Sequence, residues 1–110
     1  MSKKIQGEIW RVEFPYTDMP NKSKERPALI ISNDATNKNK VIMAYVTTII
    51  ENGDYSIEIP LNEQVPATLV TCEVRTNRLF TADKKVLRTF ECSVKKNFLE
   101  KVLAQVKSHF

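Results

Sequence analysis

The chain has 110 residues, 42% of them hydrophobic and 27% charged, a balance and length that exclude a disordered or collagen-like polypeptide and suit one domain, residues 1–110, with a modest core. Seventeen Lys and Arg against thirteen Asp and Glu give a formal net charge of +4, which favours polyanionic partners without singling one out. The N-terminus MSKKIQGEIW has no apolar core of signal-peptide length and no run approaches a membrane span, so a cytoplasmic protein is expected, and Cys72 and Cys92 lack zinc-ligand spacing and read as reduced packing residues.

The first element, GEIWRVEF, alternates Trp10, Val12 and Phe14 with Arg11 and Glu13, so it predicts a strand with one apolar face that ends at Pro15. PALIIS, Pro27 to Ser32, has no alternation and predicts a strand covered on both faces, with the proline at its first position. VIMAYVTTII, Val41 to Ile50, is a third strand, and Asn52-Gly53 predicts a hairpin turn into the alternating DYSIEIPL. TLVTCEVR, Thr68 to Arg75, is a fifth strand, which RLFT continues after a kink near Thr76 and Asn77. A short helical turn is expected to begin at Asp83 in DKKVL, and Ser93 is expected to cap a terminal helix whose Val94, Phe98, Val102 and Val106 form an apolar stripe with Leu99 and Leu103. The fold class is therefore mainly β: a small, strongly curved antiparallel sheet or barrel with a C-terminal amphipathic helix docked on it.

Between the first two strands lies PYTDMPNKSKER, a long polar loop of the kind that often covers a site. The sequence lacks a P-loop, a GxGxxG or a nucleophile elbow, and its acidic residues are scattered singly, which disfavours nucleotide hydrolysis by those routes and a two-metal nuclease. The one histidine, His109, reads as a solvated tail residue. What remains is arginine with hydroxyl and amide groups at strand ends: Arg26, Thr47 and Thr48, and Arg75, Thr76 and Asn77. A guanidinium fork matches a phosphate bidentately and threonine adds a hydroxyl donor, so the set suits a phosphodiester better than an acyl or glycosyl substrate.

The order GEIWRVEFPYTD, polar loop, RPALIISND, IMAYVTT, VRTNRLFTADK and final helix resembles the MazF/PemK family of toxin endoribonucleases, Kid-like members included, over nearly the whole chain. The resemblance implies an SH3-like small barrel acting as a homodimer that cuts single-stranded RNA (mRNA) without a metal, cofactor or ribosome, and a cognate antitoxin that masks the site. It implies catalytic roles for Arg26, Thr47 and Arg75, the last as general acid. Tyr16, Lys22, Lys24, Thr48 and Asn77 would then meet the RNA, phosphates on the lysines and an unpaired base on the tyrosine. Asn77 stands where Kid-like members carry an aspartate proposed as general base, and an amide cannot accept a proton at neutral pH; Glu25 is the candidate in its place. A gyrase poison of the related CcdB type and a non-catalytic RNA- or protein-binding barrel are the other functions such a fold would suit.

Overall fold

The computed structural model describes residues 4–15, 23–34 and 36–110, the side chains of residues 14, 15, 23 and 24 excepted. In chain order it contains β1 (Glu8–Pro15), β2 (Ser23–Ile30), β3 (Lys40–Thr47), β4 (Ser56–Ile59), β5 (Gln64–Val65), β6 (Cys72–Asp83), β7 (Leu87–Val94) and helix α1 (Lys96–Ser108). The strands form one sheet in the order β4-β6-β3-β2-β1-β7-β5, every ladder antiparallel, curled into a nearly closed barrel. This is the mainly β architecture with a C-terminal helix that the sequence predicts.

β2 is the spine, because its side chains are apolar in both directions. Leu29 and Ile31 enter a core with Ile9, Val46, Val74, Phe98 and Val102, whereas Ala28 and Ile30 enter a second core with Trp10, Val12, Val41 and Met43. The strand begins at Ser23 rather than at Pro27, paired with β1 from Pro15↔Ser23 to Ile9↔Leu29. Arg26 and Pro27 therefore lie inside β2, and only residues 16–22 separate the first two strands. Pro27 is tolerated there because β3 pairs with β2 only from Ala28 onward, so on that side its missing N–H costs no ladder bond.

Three further boundaries differ from expectation. β3 stops at Thr47, and β4 pairs with β6 instead of forming a hairpin with β3. The amides of Glu51 and Asn52 donate to the Glu73 carboxylate at 3.1 and 3.0 Å, and the Ile49 amide donates to Thr47 Oγ1 at 3.1 Å, which draws the chain off the sheet and past the end of β6. The fifth expected strand starts at Cys72 and runs on to Asp83 as β6; the expected kink is a bulge, with Ala44 facing Leu79 but Val46 facing Val74. Ser93 does not cap the helix: it sits in β7, a strand the periodicity did not suggest, paired with Glu8 and Val65. α1 starts at Lys96 without a side-chain cap, and Val94 is buried at the end of β7.

The stripe of α1 is as expected except for Val94, which belongs to β7. Phe98, Val102 and Val106 are buried, with Leu99 and Leu103 packed beside them, each full burial contributing about 1.5–3 kcal/mol. The turn at DKKVL is a 3-10 helix, Lys84–Val86, whose first turn is capped by Asp83 accepting from the Lys85 amide at 3.0 Å. Among the described residues, no helix is long and apolar enough to cross a membrane.

Candidate functional site

The β2–β3 ladder ends where the chemistry-bearing residues begin. Its last pair on this side is Ala28↔Tyr45, and the same antiparallel register carried two residues further sets Arg26 beside Thr47. No ladder forms there; the strands part, and Arg26 and Thr47 stand between two clefts. The first, about 380 Å³, is also lined by Arg11, Glu25, Thr48, Thr68, Cys72 and Glu91. The second, about 370 Å³, is also lined by Tyr45, Ile49, Glu51, Arg75 and Arg78. The side chain of Arg26 is exposed and makes no ion pair or hydrogen bond among the described residues. Thr47 Oγ1 accepts the Ile49 amide, so its own proton is left to donate. The two together offer a donor fork and a hydroxyl proton with no acceptor among the described residues, which is the chemistry of an anion site.

Arg75 stands in contrasting surroundings. Its side chain is 16% exposed, Nη1 lies 2.7 Å from Glu51 Oε1, and Nη2 donates to the Ile49 carbonyl at 3.0 Å. Nε is 2.8 Å from Glu73 Oε1, an ionic contact outside hydrogen-bond geometry. Glu73 is fully buried near the start of β6, opposite Thr47 on β3 and Glu58 on β4. Burial alone would raise its carboxyl, but the amides of Asn52 and Glu51, the Arg75 guanidinium and the Ser56 hydroxyl outweigh burial and hold it below the ordinary glutamate value. The carboxylate thus ties the segment after β3 and Arg75 into one frame that walls the second cleft.

Of the residues singled out from sequence, Arg26, Thr47 and Thr48 share the first cleft, and Arg26, Thr47 and Arg75 share the second. Asn77 is exposed and lines a separate depression of about 220 Å³ with Tyr55, Ser56, Arg75 and Arg78, away from Arg26. Tyr16 and Lys22, and the side chain of Lys24, lie outside the described residues. His109 is not the solvated tail residue expected: its Nε2 is 2.9 Å from the buried Thr76 Oγ1 and its ring meets Tyr55 edge-on at 5.1 Å, which fastens the end of α1 to β6. Burial pushes the thiols of Cys72 and Cys92 each up to about 11, so both stay protonated at neutral pH. Among the described residues, no three His, Cys, Asp or Glu side chains come together as a metal ion would require.

Sequence reasoning missed Arg11, Glu91 and Thr68 in the first cleft, and Glu73 behind the second. Glu73 had a legible signal: a carboxylate flanked by Cys72 and Val74, two residues before an arginine. Arg11 had none, because its place in the cleft follows from strand pairing.

The description "PemK-like, MazF-like toxin of type II toxin-antitoxin system" matches residues 5–110. The chain belongs to this family of toxins. Solved structures of similar shape include an endoribonuclease from a mycobacterial species, with a TM-score of 0.75 at 18% identity over 98% of this chain and 91% of that one. An endoribonuclease in complex with its cognate antitoxin, also mycobacterial, gives 0.74 at 19% identity over 96% of each chain. MazE-MazF from Deinococcus radiodurans (Form-III) gives 0.78 at 17% identity over 96% of this chain and 94% of that one. No curated protein matches the sequence.

Proposed function

We propose that this toxin is an endoribonuclease that cuts single-stranded messenger RNA without a metal or the ribosome. The observation that carries the reading is the Arg26–Thr47 pair at the parted end of the β2–β3 ladder, whose donors have no partner among the described residues. A ribose 2′-hydroxyl attacks the adjacent phosphorus as the bond from phosphorus to the 5′-oxygen breaks, giving a 2′,3′-cyclic phosphate and a 5′-hydroxyl end. Arg26 and Thr47 hold the phosphate and take up charge as the phosphorane forms. The proton of the attacking hydroxyl goes to Glu25, since Glu91, the other carboxylate of the first cleft, is taken by Arg11, and Asn77 lies outside that cleft. Arg75, with its fork engaged by Glu51, Glu73 and the Ile49 carbonyl, acts as a fixed positive wall rather than as a proton donor. The departing 5′-oxygen is protonated from water.

In this reading Lys22 and Lys24 meet further phosphates, Thr48 and Asn77 contact the strand, and Tyr16 stacks on an unpaired base. The 110 residues work as one domain in the cytoplasm, as a homodimer, and a cognate antitoxin neutralises them; the antitoxin complexes of structurally similar toxins support that partnership. The experiment is incubation of the purified protein with a long single-stranded RNA in EDTA. Fragments with 5′-hydroxyl ends are expected. Intact RNA with gyrase-dependent DNA breaks would make the protein a gyrase poison, and RNA that is bound but uncut would make it a binding module.

A further inference from the structure

We propose that Arg11, aimed by Glu91, binds a second phosphate of the same RNA strand, next to the phosphate held by Arg26; the inference rests on the nuclease reading of the cleft. Arg11 lies on β1 directly opposite Pro27, the neighbour of Arg26, and both arginines line the first cleft. Strand alternation puts Arg11 on the same face as Ile9, the face of the core that contains Val46, Cys72 and Cys92. An apolar side chain would extend that core. An arginine in its place is 38% exposed and opens on the cleft instead.

Its engagement is one-sided. Arg11 Nε lies 2.6 Å from Glu91 Oε1, and Glu91, 15% exposed, is itself steadied on β7 where the Thr68 hydroxyl donates to its main-chain carbonyl at 2.6 Å. A carboxylate on Nε sets the plane of the guanidinium. Neither Nη group has a partner among the described residues, whereas Arg75 has Nε, Nη1 and Nη2 all engaged. A purely structural ion pair would use the fork; this one leaves the fork open toward the cleft that Arg26 shares. Two arginines on one cleft match the regular spacing of charge along a nucleic-acid strand, and each gives a bidentate phosphate contact.

The test is equilibrium binding of a 2′-O-methyl RNA oligonucleotide, which is not cut, across a range of salt, together with cleavage kinetics on unmodified RNA. Arg11→Gln and the double variant Arg11→Gln/Glu91→Gln are compared with the wild type. The double variant keeps the net charge of +4 and leaves no carboxylate unpaired, so it reads the local contact even if the single variant is unstable. Loss of one phosphate contact should make the slope of log K against log salt shallower by about 0.7. It should also raise KM roughly tenfold, with a smaller effect on kcat. A double variant with the wild-type slope and KM would overturn the role of Arg11, including the case in which Arg11 serves an acidic protein partner instead. Wild-type protein that neither binds nor cuts RNA would bring down the nuclease reading itself, and a wild type that cuts while Arg11 proves silent would bring down this inference alone.

Discussion

Two arginines on the same curved sheet stand in opposite circumstances. Arg75 is nearly enclosed and spends its guanidinium on Glu73, Glu51 and a main-chain carbonyl, whereas Arg26 is exposed where the β2–β3 ladder gives out and has no partner among the described residues. The residue type is the same and the consequence differs. An arginine satisfied by its own protein contributes to the shape of a site, while one left unsatisfied beside a hydroxyl with a proton to donate is available to a ligand. From sequence the two look interchangeable, each a strand-end arginine followed within a residue or two by proline, threonine or asparagine.

Substitutions sharpen the contrast. Glu73→Ala leaves the Arg75 guanidinium without its buried counter-ion and removes the acceptor for two amides, so it should lower stability by about 3–5 kcal/mol in urea unfolding. Arg26→Ala, by the same measurement, should shift stability by no more than about 0.5 kcal/mol. Equal losses from the two substitutions would erase the distinction.

The pH dependence of stability should carry the same signature. The Glu73 carboxyl is held below its ordinary value of 4.5, so the unfolded chain binds the proton first as pH falls. The stabilisation is complete above the unfolded value, declines as pH drops toward the folded one, and is gone below it. Urea midpoints followed from neutral to acid pH should fall less steeply in Glu73→Gln than in the wild type, and parallel curves would show that Glu73 does not report on folding. The smallest effect belongs to the far end of the helix. His109→Ala removes one hydrogen bond to Thr76 and one ring contact, and should cost about 1 kcal/mol or less; a larger loss would mean that the tail supports the sheet more than its position implies.

The legible part of the fold is the part set by apolar pattern. Ala28 to Ile31 predicted a doubly covered strand because every residue is apolar, and Phe98, Val102 and Val106 marked a docked helix face. The strand ends were misplaced where side-chain to main-chain bonds compete with the ladder. Nothing in VIMAYVTTII announces that a carboxylate twenty-odd residues later will take the amides of Glu51 and Asn52 and end β3 at Thr47. β7 escaped notice because two register shifts against β1 break the alternation of LRTFECSV, although Phe90 still meets the Trp10 indole edge-on at 5.7 Å. Within the candidate site, chemistry and position marked Arg26 and Thr47 only as two of six strand-end arginine, threonine and asparagine residues, and the family resemblance singled them out. Arg11 and Glu91 come from β1 and β7, 80 residues apart, and only the pairing of those strands brings them to one cleft.

The most direct test is the cleavage rate of a long single-stranded RNA by Arg26→Ala at a temperature where the variant remains fully folded. The account requires a rate about 10²–10³ lower than wild type, the loss typical of removing one preorganised donor to a charged transition state. A folded Arg26→Ala protein that cuts at the wild-type rate would contradict it.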